Sequence, residues 1–222
     1  MTLKAVIFDM DGVLVDSEPY HYEAETLIFG ELGISVPDAV RNSFVGMSGR
    51  KMWESIRDRY SLSSTVEELL GFDRELRLRY FSTVKSMVPI PGATELLRDL
   101  RARGIRTGLA SSSIRELIAL ITGATGLDLY FDVVVSGEEV AHGKPAPDIF
   151  IRAADILGAA PKECIVIEDS ANGVKAANAA GMVCVGFNNP GARGQDLSAA
   201  DIVVDGYATL DAAILMDLVK IP

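Results

Sequence analysis

The segment FDMDGVL at Phe8–Leu14 sets two carboxylates, Asp9 and Asp11, directly after the apolar run Ala5–Phe8. In an extended chain, side chains two residues apart point to the same side. Like charges this close repel, so one must be neutralised by a cation or a proton. Gly12 lets the chain turn sharply behind them. Taken alone, the same residues also describe a solvated turn, since Asp and Gly are turn formers. A calcium-loop reading fails, because Val13 and Leu14 stand where that loop requires a ligand and a glycine.

Three further segments place complementary groups in similar positions. Ser111 closes the apolar run GLAS, Lys144 stands in GKPAPD, and Glu168 and Asp169 close CIVI. Each has a plain structural reading. Ser113 and Glu116 have the spacing of a capping box, Asp169 could cap a helix, and a lysine alone is usually a surface residue. Gly137, Gly143 and Lys144 fall short of a phosphate loop, because five residues separate the glycines and Pro145 follows the lysine. His21 and His142 are isolated and read as non-catalytic, although His21 lies near enough to a hinge to face a ligand. If the four segments end parallel strands, however, hydroxyl, ammonium and carboxylate groups converge on one sheet edge.

That set of groups has a chemistry. Asp9, Asp11, Asp169 and the adjacent Glu168 are hard oxygen donors without a Cys or His among them, which favours Mg²⁺. A phosphate needs a cation and hydroxyl donors, which Lys144 and Ser111 supply. A carboxylate can attack phosphorus to form an aspartyl phosphate. The second acid can protonate the leaving oxygen and later take a proton from water.

The elements that must position these groups follow from the hydrophobic pattern. Short apolar runs at Ala5–Phe8, Arg106–Ala110, Val133–Val135, Ile165–Ile167, Val183–Gly186 and Ile202–Val204 suit parallel strands covered on both faces. Helical patterns alternate with them: ATELLRDLRAR after Pro91 and Gly92, ELIALITG, DIFIRAADILG after Pro147, and ANGVKAANAAG ending at Gly181. The expected class is α/β, a doubly wound Rossmann-like parallel sheet. From about Ser17 to Met87 no strand pattern occurs. Tyr20, Ala24, Leu27 and Ile28 instead recur at helical spacing, and GRKMWESIRDRY and STVEELLGFDRELRLRYFSTV also read as helices. This is far more than a crossover needs. The expected organisation is a catalytic core of residues 1–16 and 88–222 with an inserted all-helical domain, 17–87. Linkers are expected near Val15–Glu18 and Ser86–Pro91.

The whole-chain properties narrow the class. The 222 residues are 49% hydrophobic and 23% charged, which is a globular composition. A net charge of −10 argues against nucleic acid as a partner. No apolar run reaches membrane-span length, and the N-terminus lacks a signal-peptide pattern, so the expectation is a soluble, cytoplasmic protein with no membrane partner. Cys164 and Cys184 sit in apolar runs and read as buried thiols, with no disulfide or zinc spacing. A monomer is expected.

Together DMDGV at Asp9–Val13, the strand-end Ser111, Lys144 of GKPAPDIF and EDSANG at Glu168–Gly173 resemble the haloacid dehalogenase-like superfamily, in its phosphatase and phosphoglucomutase branch. The resemblance spans essentially the whole chain. It implies that Asp9 is the nucleophile and Asp11 the general acid and base. Ser111 and Lys144 would hold the transferring phosphoryl group, with Ser112 beside them. Mg²⁺ would be held by Asp9, the Asp11 carbonyl and Asp169, with Glu168 as a further contributor. The segment VGMSGRKMWE at Val45–Glu54 resembles the β-phosphoglucomutase cap loop that reads the non-reacting phosphate, which makes Arg50, with His21, a candidate substrate contact. Gly49 intervenes between Ser48 and Arg50, and the later cap lysine of the mutases has no counterpart in FDRELRLRYF, where Arg74, Arg77 and Arg79 are the cations. Trp53 is expected to pack between helices. The leading expectation is therefore a Mg²⁺-dependent phosphatase acting on a small phosphorylated metabolite, a sugar phosphate. β-Phosphoglucomutase is the alternative. A receiver-like signalling module is a remote third reading, opposed by the helical insertion and by Asp11.

Overall fold

The computed structural model describes residues 2–44, 47–189 and 194–219. In chain order the elements are β1 (Ala5–Phe8), α1 (Glu18–Glu31), α2 (Asp38–Asn42), α3 (Gly49–Tyr60), α4 (Val66–Thr83), α5 (Ala93–Ala102) and β2 (Arg106–Ser111). There follow α6 (Arg115–Thr125), β3 (Val133–Ser136), α7 (Asp148–Leu157), β4 (Cys164–Glu168), α8 (Ala171–Ala179), β5 (Val183–Phe187), β6 (Ile202–Val204) and α9 (Ala212–Leu218). Two compact units result: residues 1–16 with 87–222, and residues 17–86.

The first unit is a six-stranded, wholly parallel sheet in the order β3-β2-β1-β4-β5-β6, with helices on both faces. This is the doubly wound order, and its direction reverses between β1 and β4, where such sheets open a crevice for ligands. The continuous burial of Ala5–Phe8 and Cys164–Glu168 follows from cover on both sides. Ala5 and Ile7 point into one core with Cys164, Val166 and Cys184, against Ile149, Phe150 and Ala153 of α7 and Val174 and Ala177 of α8. Both thiols are buried and free, and burial pushes them above their usual range.

Several strands run one residue further than the hydrophobic pattern predicts. β2 extends to Ser111, β3 to Ser136 and β4 to Glu168, because the ladder hydrogen bonds continue after apolar burial stops. The capping expectation at Ser113 is overturned. α6 is preceded by Ile114, whose side chain makes no cap bond, while Glu138 accepts from the Arg115 N–H at 3.2 Å. Ser170, not Asp169, caps α8, accepting from the Gly173 N–H at 3.0 Å.

The second unit is helical and has its own core of Ile28, Phe29, Val36, Trp53, Ile56, Val66 and Leu69. Trp53 is fully buried and meets Phe29 edge-on, with ring centroids 6.0 Å apart, so it packs between helices. Thr65 and Glu68 form a reciprocal capping box at the start of α4. Leu27 departs from the expected stripe, being 53% exposed, and Phe29 takes the buried place. Among the described residues, no helix is long and apolar enough to cross a membrane.

Candidate active site

Register explains why the chemistry collects at one edge. Phe8 of β1 lies level with Leu109 of β2 and Ile167 of β4, so Asp9 stands one step beyond the apolar ladder, beside Ala110 and Glu168. The Asp9 N–H donates to the Ile167 carbonyl at 3.0 Å, which keeps the backbone extended as the carboxylate enters the crevice. Past it the chain must turn. Gly12 adopts φ 78°, and a Cβ there would lie 2.0 Å from Asp169 Oδ2, so only glycine fits. Two distant side chains fasten this turn: Asn189 Nδ2 donates to the Gly12 carbonyl at 3.0 Å, and Tyr207 donates to the Val13 carbonyl at 2.9 Å.

The ammonium of Lys144 fills the centre. Its Nζ donates to Asp9 Oδ1 at 2.5 Å, to Glu168 Oε1 at 2.7 Å and to the Ala110 carbonyl at 3.2 Å, and lies 4.9 Å from the centroid of the Phe150 ring. All three donor positions of an ammonium are thereby used. The side chains of Lys144, Asp9 and Glu168 are 6%, 9% and 1% exposed. Burial alone would discharge the lysine, but the two carboxylates hold its pKa above the usual range. Glu168 is anchored on its other oxygen too, by the Ser170 N–H at 2.6 Å. A Cβ at Gly173 would collide with this carboxylate, which is why EDSANG carries glycine there.

Asp11 stands on the other side of Asp9, among hydroxyls. Its Oδ2 accepts from Ser113 Oγ at 3.1 Å and, at a long 3.4 Å, from Ser111 Oγ. Ser112 is exposed, and Gly137 packs against its backbone. Ser113 is the residue that the sequence reading misplaced. Residues 112 and 113 form a bend, and Asp11 lies 102 residues away, so no local pattern marks this contact.

The carboxylates of Asp9, Glu168 and Asp169 lie within 4.8 Å of one another. Burial, with the neighbouring negative charges, raises Asp169 to about 9 and Asp9 to about 7. Hard oxygens that burial and repulsion drive toward protonation are what a divalent cation would relieve, so the donor set fits Mg²⁺.

The two candidates in the helical unit have local partners of their own. Arg50, on the first turn of α3, pairs with Glu67 at 2.8 Å, both largely exposed. Val45 and Gly46, the start of that loop segment, lie outside the described residues. His21 Nδ1 meets Arg77 Nη1 at 3.1 Å, and the ring lies 5.0 Å from that of Phe81. Arginine only donates, so Nδ1 accepts and the ring proton sits on Nε2. Arg77 is itself held by both oxygens of Asp73, at 2.8 and 3.2 Å, with side chains 12% and 17% exposed. The contact between Arg77 and His21 was not singled out in the sequence, because the two lie 56 residues apart.

Comparison with known proteins agrees with this geometry. The chain is 32% identical over 222 residues to beta-phosphoglucomutase of Bacillus subtilis, covering 96% of this chain and 94% of that one. It is 31% identical over 180 residues to the phosphorylated carbohydrates phosphatase of Thermotoga maritima, covering 81% and 82%. The crystal structure of beta-phosphoglucomutase from Clostridium difficile superposes with a TM-score of 0.84 at 28% identity, covering 98% of this chain and 97% of that one. Residues 3–181 match the family model described as haloacid dehalogenase-like hydrolase, and the chain belongs to that family.

Proposed function

We propose that the protein is a Mg²⁺-dependent phosphatase that hydrolyses a small phosphorylated metabolite, a sugar phosphate, through an aspartyl phosphate on Asp9. The observation that carries this reading is the buried ammonium of Lys144 set between Asp9 and Glu168, at the ends of the two strands that flank the sheet's reversal point. That charge favours the ionised Asp9 needed for attack and presents a cation to phosphoryl oxygens. Asp9 attacks phosphorus, the bond to the leaving oxygen breaks, and Asp11 gives that oxygen its proton. Water then attacks the aspartyl phosphate, Asp11 takes a proton from it, and the bond to Asp9 breaks to release phosphate. Ser111 and Ser112 hold the phosphoryl oxygens by donating to them, and Lys144, its three protons already engaged, adds its positive charge. Mg²⁺ would be held by Asp9, Asp169 and the Asp11 carbonyl, where it supplies charge neutralisation to the phosphoryl group. Glu168, engaged by Lys144 and the Ser170 N–H, acts chiefly as the anchor of the lysine.

The carbohydrate phosphatase relative supports a sugar phosphate as substrate. A second reading, β-phosphoglucomutase, is favoured by two of the relatives. Against it, Gly49 displaces Arg50 from the mutase pattern. The test offers purified protein and Mg²⁺ a panel of phosphorylated sugars, polyols and small acids, with phosphate release measured. In parallel, β-glucose 1-phosphate with glucose 1,6-bisphosphate is followed for glucose 6-phosphate. Phosphate release is expected to exceed isomerisation. Isomerisation a hundred times faster than the best hydrolysis would reverse the assignment and leave the Asp9 chemistry standing.

A further inference from the structure

We propose that Ser113 is a positioning residue for Asp11, the hydroxyl that keeps this carboxylate aimed at the reacting oxygen after substrate has claimed Ser111. The inference rests on the phosphatase reading and extends it to the step in which water attacks.

The spacing of Ser113 and Glu116 is that of a helix cap, yet the Ser113 hydroxyl does not cap α6. It donates to Asp11 Oδ2 at 3.1 Å, and the amide of Arg115 is served instead by Glu138, from the loop after β3. The backbone of Ser113 is fixed on both sides of that hydroxyl. Its N–H donates to Ser111 Oγ at 3.1 Å, and its carbonyl accepts from the buried Ser136 Oγ at 2.7 Å. Gly137 presses on the preceding residue, where a Cβ would come within 3.0 Å of the Ser112 carbonyl oxygen. The backbone from which the hydroxyl reaches Asp11 is therefore held in place.

Proton counting separates the two serines. A hydroxyl has one proton to donate. Ser111 donates at 3.4 Å to the same Asp11 oxygen, but a bound phosphoryl group needs that proton. Ser113 is further along the turn and remains on Asp11 when Ser111 leaves. In the hydrolytic step the water oxygen bonds to phosphorus, one water proton passes to Asp11, and the phosphorus bond to Asp9 breaks. The proton stored on Asp11 is returned to the leaving oxygen of the next substrate. Misaiming Asp11 costs little in the first half-reaction when the leaving group is a good one, but it slows the second.

The test uses 4-nitrophenyl phosphate, whose leaving group departs without a proton, in rapid acid-quench experiments with Mg²⁺. Phosphoenzyme and released phosphate are both measured. Ser113→Ala is expected to lower kcat about tenfold and to raise the phosphoenzyme fraction severalfold, a partial version of losing a general base. Ser113→Thr, which restores the hydroxyl, is expected to return kcat to within about threefold of the parent. Asp11→Asn serves as the reference for a stalled second step. If Asp11→Asn accumulates phosphoenzyme but Ser113→Ala matches the parent, or slows without accumulating it, Ser113 has no such role. If Asp11→Asn accumulates none either, the aspartyl phosphate reading falls and takes the inference with it.

Discussion

Two cations in this chain are paired at nearly the same distances in opposite settings. Lys144 meets Asp9 at 2.5 Å and Glu168 at 2.7 Å, with all three side chains almost wholly buried. Arg50 meets Glu67 at 2.8 Å with side chains 54% and 70% exposed. Water screens the second pair and can replace either partner, so opening it costs little. Nothing replaces the partners of the first, and removing one leaves a charge stranded in the core. A buried, fully engaged ammonium is suited to a fixed electrostatic task. A lightly held surface guanidinium is suited to exchanging one anion for another. Distance alone does not distinguish these roles, whereas burial and the surrounding donors do.

The comparison breaks most visibly at Lys144. Lys144→Met removes the cation from two buried carboxylates, and breaking such a pair costs about 3–5 kcal/mol. Phosphatase turnover is expected to fall by at least ~10³ as well, because the phosphoryl oxygens lose their charge partner. Thermal unfolding and steady-state kinetics check the two effects separately. A variant that is inactive yet as stable as the parent would mean that the two carboxylates share a proton and the lysine is structurally dispensable.

The carboxylates themselves come next. Asp169→Ala is expected to raise the Mg²⁺ concentration needed for half-maximal activity by about tenfold or more. Glu168→Gln is expected to lower kcat with a smaller change in that requirement, since its oxygens hold Lys144 and the α8 entrance. Titrating activity against Mg²⁺ for both variants decides between them, and the reverse order would exchange their roles.

Protonation gives a third, smaller effect. Burial raises Asp9 and Asp169 above the ordinary 3.8 in the metal-free fold. Groups raised in this way contribute stability that is complete below the unfolded pKa. It is lost as pH climbs through their folded values, about 7 and about 9. A cation that binds the ionised forms offsets this loss. The gain in Tm from Mg²⁺ over EDTA should therefore be small near pH ~5 and grow toward pH ~9. A gain that stays flat or shrinks with rising pH would place the metal elsewhere.

The exposed pair should be the quietest. Arg50→Ala is expected to leave Tm unchanged and the hydrolysis of 4-nitrophenyl phosphate within about twofold, while raising KM for the physiological substrate. Equal effects on both substrates would assign Arg50 a structural role.

Much of the buried site was legible in the sequence, because a parallel sheet converts strand ends into one edge. Asp9, Ser111, Lys144 and Glu168 each follow or close an apolar run, and their types are complementary. What could not be read was anything fixed by contact between distant segments. Ser113 looked like a helix cap because its spacing to Glu116 is local, whereas Glu138 takes that duty from 23 residues away. Asn189 and Tyr207 fasten the Gly12–Val13 turn from 177 and 194 residues further along the chain, with no local pattern to mark them. In the helical unit, the fold followed from 3.6-residue periodicity and the Trp53 core from hydrophobicity. The Arg77, Asp73 and His21 arrangement did not, since three helical cations in FDRELRLRYF look alike until one of them is seen to meet His21 from a distant helix.

The central claim is that Asp9 becomes phosphorylated, and one chemical mapping tests it directly. The Asp11→Asn protein is mixed with Mg²⁺ and 4-nitrophenyl phosphate, whose leaving group needs no proton from Asp11, quenched, and reduced with borohydride, which converts an aspartyl phosphate to homoserine. Peptide mass mapping is expected to find homoserine at position 9, absent without substrate and absent when Asp9→Asn is added to the same chain. Homoserine at another carboxylate, or none at position 9 while substrate is still being turned over, would contradict the account.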